Sequence, residues 1–376
     1  MTKNTKIVII LNLLYSIVLT IYLISFKRKI SYNNLFTDEI TKIYNRFYKV
    51  NINEIDNQIN HKKDSYKKRK IKSIINIGFT LDKNYILETM LTVASILGTQ
   101  KKTTKVIFHF GVTNDFTAEK MLKLYELKNK LNNLTEFNFY YLKESVIKMK
   151  NFHPKGEACP GKFELPMLLS DEIERLIIFD AGDLLVLRDL TELYNYNMDD
   201  YWVLGIPEPV IINSFMKVNY NITKYINIGA ILLDIKKIKL NNIWEKFTNN
   251  RFLKLSGAPD QTLFNIIIPD NKKNYLPFKF GGFTLFANDK NYDSSIFSDF
   301  GFKSWLNSTE SNSLPEKPNS EREIIYSLYN PRFIHQFDGK WATGNGLSIY
   351  RLLAKYFILI AGIRNEICHK KPGYCR

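Results

Sequence analysis

The sequence predicts an α/β fold in which a mainly parallel sheet is flanked by helices. Short apolar runs rich in β-branched residues alternate with segments whose apolar residues repeat at helical spacing, an order that favours parallel strands joined by helices. One such run ends in two acids, Asp180 and Asp183, separated only by Ala181 and Gly182. Ligands of open α/β sheets bind at the carboxyl ends of the strands, so this acidic turn is the first candidate site.

The first half of the alternation is regular. Ser73–Thr80 and Lys105–Gly111 are typical of buried strands, and Glu136–Tyr141 alternates between apolar and polar residues as a half-buried strand does. Ile86–Leu97 and Thr117–Leu131 have the apolar spacing of helices. The loop after the first strand is the one that contacts a nucleotide in many folds of this kind.

The second half leads into and away from the acidic turn. A helix is predicted over Pro160–Ser170, and the apolar strand Leu176–Phe179 then delivers the two acids. Tyr201–Ile206 and Asn227–Asp234 are two further apolar strands. Residues 287–330 are polar and rich in Ser and Asn, which favours a long surface excursion.

Composition narrows the class of protein. The chain has 376 residues, a hydrophobic content of 45% and a formal net charge of +16, so it can bury a large core and attract anionic partners. Part of the excess charge lies in the basic run Lys62–Lys72, which no nucleic-acid-binding module accompanies, so nucleic acid is not an expected partner. Three cysteines are too few for a disulfide scaffold; Cys368 and Cys375 either bridge a short loop or remain thiols.

The N-terminus predicts a membrane anchor. Residues 7–26 hold twenty residues without a charge, enough to cross a hydrocarbon core at about 1.5 Å per residue. Basic residues follow instead of a cleavage site, which favours a retained signal anchor after a short tail, residues 1–6. The remaining predicted parts are a basic stem over 27–72, a globular domain over 73–345, and a C-terminal helix and tail over 346–376.

Six short segments, spread over the predicted domain, carry polar or glycine residues of the kind that line ligand sites. In chain order they are Asp82-Lys-Asn84-Tyr85; Lys162 four residues before Pro166; Asp180-Ala-Gly-Asp183; Asn227-Ile-Gly229; Asp260-Gln261 with Asn265; and His335 with Gly339, Lys340 and Trp341. Their order and context resemble glycosyltransferase family 8, over roughly Ser73 to Trp341. The resemblance implies a GT-A fold, a nucleotide-sugar donor and retention of anomeric configuration.

The resemblance also implies roles for these residues. Donor binding falls to Asp82, Asn84, Tyr85, Lys162, Asn227, Gly229, Gly339 and Lys340. The metal ligands are Asp180, Asp183 and His335, a carboxylate and imidazole set that suits Mn²⁺, with Mg²⁺ as the alternative ion. The catalytic residues are Gln261, beside the reacting carbon, and Asp260.

Two departures from the family pattern leave alternatives open. The acids are separated by two residues instead of one, so Gly182 must form a bulge or turn if both are to reach one ion; otherwise Asp183 alone binds the metal directly. The closing motif also lacks a proline between Lys340 and Trp341.

The function predicted is Mn²⁺-dependent transfer of a hexose or related sugar from a UDP-sugar to a glycan, glycoprotein or glycolipid acceptor. The predicted location is the Golgi or ER, as a single-pass type II membrane protein whose catalytic domain is lumenal. The alternative is a catalytically inactive GT-A domain that binds sugars or serves as a scaffold.

Overall fold

The structure is a computed structural model. It describes residues 71–131, 134–143, 158–207, 219–250, 259–277, 280–283, 333–335, 357–358 and 361–370. Contacts divide the chain into two units, Met1–Lys67 and Lys68–Arg376, and every described residue belongs to the second.

The strands and helices alternate through the first part of this unit. The strands are β1 Ser73–Leu81, β2 Thr104–Val112, β3 Thr135–Tyr141, β4 Arg175–Phe179, β5 Leu184–Val186, β6 Val203–Pro207, β7 Ile226–Asp234, β8 Lys273–Tyr275, β9 Gly281–Phe283 and β10 Phe333–His335. The helices are α1 Ile86–Thr99, α2 Ala118–Leu131, α3 Gly161–Leu168, α4 Thr191–Tyr194, α5 Ile235–Leu240, α6 Ile243–Asn250, α7 Pro259–Ile267 and α8 Arg364–Lys370, with a 3₁₀ turn at Asp270–Lys272.

Seven strands form the main sheet, in the order β3-β2-β1-β4-β7-β6-β8. The neighbours from β3 to β4 are parallel, as are β6 and β8, whereas β7 runs antiparallel to both β4 and β6. The mainly parallel sheet predicted from the sequence is therefore confirmed. Its order reverses beside β1 and β4, where the first βα loop and the acidic turn leave the sheet at the same edge.

A second sheet of three strands, in the order β5-β10-β9, begins directly after the acidic turn. Strand β10 is antiparallel to β5 and parallel to β9. The chain thus passes from one sheet to the other between β4 and β5, and the two acids lie in the connection.

Apolar side chains pack on the main sheet. Phe79, Phe108 and Phe110 stack side by side across β1 and β2, with ring centroids 5.8 to 6.2 Å apart. A further cluster packs α3, α6 and α7 against the strands, and its Phe163 and Phe247 rings lie 3.9 Å apart. Burial of such rings contributes about 1.5–3 kcal/mol each, which fixes α3 and α7, the two helices that carry predicted site residues, against the sheet.

The predicted elements of the described part agree with the structure to within a few residues, whereas the direction of β7 was not predicted. No helix among the described residues is long and apolar enough to cross a membrane, and the predicted anchor, residues 7–26, lies outside them. The predicted excursion over 287–330 also lies outside. Cys368 is disulfide-bonded and Cys159 is a free thiol; Cys375, the predicted partner, is not among the described residues.

Candidate active site

The acidic turn connects β4 to β5 through a left-handed glycine. Gly182 has φ +82°, a conformation that residues with a Cβ rarely adopt. A Cβ at this position would also lie 2.2 Å from the Cβ of Glu88 on α1. The residue between Asp180 and Asp183 that departs from the family pattern thus forms the turn that the sequence predicted, and both backbone angle and space require glycine there.

The second sheet brings the predicted third metal ligand to this turn. In the antiparallel register of β5 and β10, His335 lies opposite Leu184, the residue that follows Asp183. The register therefore places the backbone of His335 beside the acids, although the two strands are far apart in the sequence. The side chain of His335 is outside the described set, as are Gly339 and Lys340.

Helix α3 supplies a buried cation. Lys162 is 4% exposed, and its Nζ forms an ion pair with Asp180 and lies 3.4 Å from the carbonyl oxygen of Ile228. Burial alone would lower the pKa of this lysine, but the carboxylates of Asp180 and Asp260 raise it above its ordinary value. Lys162 is therefore charged at every working pH, and it joins the acidic turn to α7.

The loop after β1 places the predicted nucleotide-binding residues at the same edge. Asp82 is buried and accepts a hydrogen bond from the backbone N–H of Asn84 at 2.7 Å, whereas the Asn84 side chain is exposed. Burial raises the pKa of Tyr85 to about 12, and negative groups that include Asp82 and Asp183 add to the shift. The phenol therefore lies within electrostatic reach of the acidic turn and stays neutral.

Strand β7 and helix α7 form the other side of the site. The side chain of Asn265 is hydrogen-bonded to both backbone groups of Ile226, at 2.9 and 2.8 Å. Gln261 accepts from the N–H of Ile228 at 3.2 Å, and Asn227 accepts from the N–H of Gly229 at 2.8 Å. The bonds of Gln261 and Asn265 hold α7 against the predicted sugar-pocket segment of β7.

Cys159 is a site residue that the sequence reasoning missed. Burial raises the pKa of its thiol, and Asp260 adds to the shift while Lys162 opposes it; Asp180 and Asp82 act on it as well. The thiol thus lies among four predicted site residues. The sequence did contain a signal for this placement, because Cys159 lies three residues, about one helical turn, before Lys162.

One charge network therefore connects most of the predicted site. It links the first loop, the acidic turn, α3 and the start of α7 through Tyr85, Asp183, Lys162, Asp180 and Asp260. Asn227 and Gln261 join it through hydrogen bonds to β7. Of the predicted donor-binding residues that the structure describes, Asn84 is the one with an exposed side chain.

The residues at the acidic turn fit a divalent cation in chemistry. Among the described side chains, no group of three or more His, Cys, Asp and Glu is placed to hold a metal ion, and that set does not include His335. Carboxylates such as those of the glycine turn, together with an imidazole, are residue types that suit Mn²⁺. The predicted ligands are compatible with such an ion.

Solved structures with the same fold are glycosyltransferases. The chain is similar to WbbM, a bifunctional glycosyltransferase, with TM-score 0.61 and 14% identity over 80% of this chain and 52% of that one. It is also similar to the galactosyltransferase LgtC in complex with donor and acceptor sugar analogues, with TM-score 0.56 and 15% identity over 77% of this chain and 95% of that one. A second LgtC structure, TM-score 0.51 and 13% identity, is an active-site mutant in which Gln is replaced by Glu. These likenesses define the fold as that of a GT-A glycosyltransferase.

The family follows from the sequence profile. Glycosyl transferase family 8 matches residues 76–299, more than half of the chain, and the chain therefore belongs to this family. The chain spans about half the length of WbbM and about a third of the length of the curated relative that it matches. It is 30% identical over 95 residues to general stress protein A of Bacillus subtilis (strain 168), which covers 25% of this chain and 33% of that protein.

Proposed function

We propose that this glycosyltransferase moves a hexose or related sugar from a UDP-sugar to a glycan, glycoprotein or glycolipid acceptor, with retention and with Mn²⁺ or Mg²⁺. The observation that carries the proposal is the ion pair between the buried Lys162 and Asp180 of the glycine turn. The carboxylate of Asp260 on α7 also acts on Lys162, and Asp183 of the same turn acts on Tyr85 in the first loop. A nucleotide diphosphate needs this combination of a ring-binding loop, a cation and metal-ligating acids within one site.

The first loop would hold the nucleotide. Tyr85 remains a neutral phenol because burial and the surrounding negative groups raise its pKa to about 12, so its ring is available for stacking on a base. The carboxylate of Asp82 is fixed by the N–H of Asn84 and would accept a hydrogen bond from the base. The exposed side chain of Asn84 lies at the outer rim of this loop.

The acidic turn and Lys162 would neutralise the leaving group. A Mn²⁺ or Mg²⁺ ion held by Asp180, Asp183 and His335 would act as the Lewis acid on the diphosphate. Lys162 orients the carboxylate of Asp180 through their ion pair, and its permanent charge competes with a metal ion for that carboxylate. Metal affinity should therefore depend more strongly on Asp183 than on Asp180, in line with the alternative in which Asp183 is the principal ligand.

Gln261 would stabilise the reacting sugar. In LgtC the replacement of a Gln by Glu is described as an active-site mutation, and Gln261 is the glutamine of the matching family segment here. Its amide is held against β7 by Ile228 and Tyr225, beside Asn227. In the proposed step the bond from the anomeric carbon to the phosphate oxygen breaks. A bond to the acceptor oxygen then forms on the same face, and the acceptor proton passes to the departing phosphate.

The test is a donor-hydrolysis screen of the full chain against common UDP-sugars, with Mn²⁺ and then with a chelator. We expect UDP release from one donor class, loss of release with the chelator and recovery when Mn²⁺ is returned. Asp183→Asn should abolish release, whereas Asp180→Asn should keep more affinity for the metal. Asp189→Asn is the matched control, because Asp189 caps the backbone N–H of Thr191 away from the site. UDP release that is unchanged by the chelator, or no UDP release with any donor, would contradict the proposal.

The membrane anchor predicted for residues 7–26 is a further part of the proposal. It is supported by the uncharged run of the sequence and the basic residues that follow it. Detergent-phase partition of the full chain, compared with a chain in which two central residues of this run, Leu14 and Val18, are changed to Arg, would test it. Equal partition of the two chains into water would contradict it.

A further inference from the structure

One edge of the strand that follows the acidic turn is hydrogen-bonded to side chains of α1 instead of to another strand. The backbone groups involved come from every second residue and alternate between donor and acceptor: the N–H of Gly182, the carbonyl of Leu184, the N–H of Val186, the carbonyl of Arg188 and the N–H of Leu190. Their partners on α1 and at its end are Thr92, Ser95 and Gln100, at 2.9 to 3.5 Å.

Within β5, backbone groups of alternate residues point to the same side, so the bonds of Leu184 and Val186 lie on one edge. Gly182, Arg188 and Leu190 lie in the segments on either side of β5 and are bonded to the same helix and its end. The opposite edge of this segment pairs with β10, and Leu185 lies opposite Ile334 there. Helix α1 therefore takes the place of a neighbouring strand, and the segment has hydrogen-bond partners along both edges.

The contact begins at the acidic turn itself. Glu88, Thr92 and Ser95 lie on one face of α1 at helical spacing, and all three are buried. Glu88 packs against Gly182, and Thr92 follows one turn later. The same helix begins directly after Tyr85, so α1 connects the proposed nucleotide loop to the proposed metal turn.

Thr92 contacts both backbone groups that flank Asp183. Its Oγ1 accepts from the N–H of Gly182 at 3.2 Å and donates to the carbonyl of Leu184 at 2.9 Å. A hydroxyl can do both at once because it is one donor and two acceptors. Its side chain is fully buried, so water cannot replace these bonds without reorganisation of the site.

We propose that Thr92 is a positioning residue that sets the orientation of Asp183 for the metal ion, without contact to metal or donor. The proposal rests on the metal-dependent function proposed above. Valine has the shape of threonine and lacks the hydroxyl, so Thr92→Val should leave two buried backbone groups unpaired on either side of Asp183. The carboxylate should then sample orientations that do not hold the ion.

The test compares Thr92→Val with Thr92→Ser, which keeps the hydroxyl, and with Thr99→Val. Thr99 is on the same helix. Its hydroxyl donates to the carbonyl oxygens of Ser95 and Ile96 and accepts from Nε2 of Gln100, none of which belongs to residues 182–186, which makes the third variant a matched control for exchange of that segment. The first measurement is hydrogen exchange of residues 182–186 in the metal-free full chain. Thr92→Val should speed exchange there about 30-fold or more, the effect of two unpaired buried backbone groups, while the other two variants stay near wild type.

The second measurement is Mn²⁺ binding in the presence of UDP, by electron paramagnetic resonance of free Mn²⁺, together with the KM for Mn²⁺ and kcat. Thr92→Val should weaken Mn²⁺ binding and raise its KM by a similar factor, and saturating Mn²⁺ should recover most of kcat. Thr92→Cys, whose S–H is a weak donor and acceptor, gives a milder form of the same change if Thr92→Val does not fold.

Two results would overturn the inference. If exchange of 182–186 is unchanged, the hydroxyl does not hold this segment. If exchange is faster but Mn²⁺ affinity equals that of the wild type, Thr92 is structural only. Failure of the proposed function has a different signature, because the wild-type protein would then itself bind no Mn²⁺ with UDP.

Discussion

Lys162 and Lys273 are both buried lysines, 4% and 0% exposed, yet their surroundings move their pKa values in opposite directions. At Lys162 the carboxylates of Asp180 and Asp260 outweigh burial and raise the pKa. At Lys273 burial dominates and lowers the pKa to about 8, although Asp270 lies 3.0 Å away. Two acids keep Lys162 charged, whereas at Lys273 one acid does not fully offset the lowering of the pKa by burial.

The other hydrogen-bond partners of Lys162 and Lys273 explain why the two lysines have different roles. Lys273 donates to the carbonyl oxygens of Asn265 and Ile268, at the C-terminal end of α7, where a cation stabilises unpaired carbonyls. Lys162 has one carbonyl neighbour, Ile228, and otherwise contacts acids at the ligand-binding edge. One lysine caps a helix, and the other provides a permanent charge in the site.

The largest effect that would test this comparison is expected for Lys162→Met. The change removes the buried cation that pairs with Asp180 and that Asp260 also acts on, so the free energy of unfolding should fall by about 3–5 kcal/mol. Donor hydrolysis should fall about 100-fold or more because a charge at the leaving group is lost. Urea denaturation and UDP release under saturating Mn²⁺ measure the two effects.

Two variants serve as controls for that change. Lys162→Arg keeps the charge and should retain most of the activity. Lys273→Met is the same chemical change at the helix cap and should leave hydrolysis within a few-fold of wild type. If Lys273→Met reduces hydrolysis as much as Lys162→Met does, the two lysines do not differ in use and the comparison fails.

Part of this site was predictable from the sequence. The acidic turn was found from its local context, at the end of an apolar strand, whereas Lys162 and the roles of the first-loop residues followed from the resemblance to the family. The need for a turn at Gly182 followed from strand geometry, because residues three apart in a strand point to opposite faces. The ion pair between Lys162 and Asp180 was not predicted, since it depends on which strands and helices become neighbours.

The rest depends on tertiary contacts that a single sequence does not specify. An apolar run such as Ile226–Asp234 has the same pattern in a parallel and an antiparallel strand, so the direction of β7 could not be predicted. The buried role of Thr92, Ser95 and Gln100 was likewise missed. The signal in the sequence was a line of polar residues on an otherwise apolar helix. The strand edge that these residues bind lies about ninety residues later in the chain, so it could not be identified from the helix alone.

His109 extends the comparison to a buried base that has no acid as a hydrogen-bond partner. Its ring nitrogens lie 3.1 Å from the hydroxyl of Tyr140 and 3.0 Å from Oδ1 of Asn76. Burial lowers the pKa of His109 to about 4. Between pH 6.5 and 4 the unfolded chain binds the proton and the folded chain does not, so this group's contribution to stability is complete above pH 6.5 and is lost as pH falls.

We therefore expect the free energy of unfolding to fall by up to roughly 3 kcal/mol between pH 7 and pH 4 because of His109. Urea denaturation at a series of pH values measures the slope, and His109→Gln should remove this part of it. His369→Gln is the control, because His369 is exposed and should leave the slope unchanged. Equal slopes in wild type and His109→Gln would show that the ring is protonated in the folded state.

The smallest effect at neutral pH is expected for Lys273→Met. Methionine removes the penalty for burying a charge but also removes the cap of α7, while Asp270 keeps its hydrogen bond from the N–H of Thr223 at 2.6 Å. The free energy of unfolding at pH 7 should change less than in Lys162→Met, because burial already disfavours the charged form of Lys273 and relief of that penalty offsets part of the lost ion pair with Asp270.

The variant should differ from wild type more clearly at alkaline pH. The folded-state pKa of Lys273 is about 8, below the ordinary value of 10.5. Between these values the unfolded chain binds a proton that the folded chain lacks. Stability from this group therefore rises with pH over that window and is fully present above 10.5.

Surface lysines and tyrosines also titrate there, so the measurement is the difference between wild type and Lys273→Met, followed by urea denaturation from pH 7 to 10.5. The wild type should gain stability relative to the variant across this range. A difference that stays constant with pH would mean that Lys273 is charged when buried, as Lys162 is, and that one acid and two carbonyls suffice for what two acids do in the site.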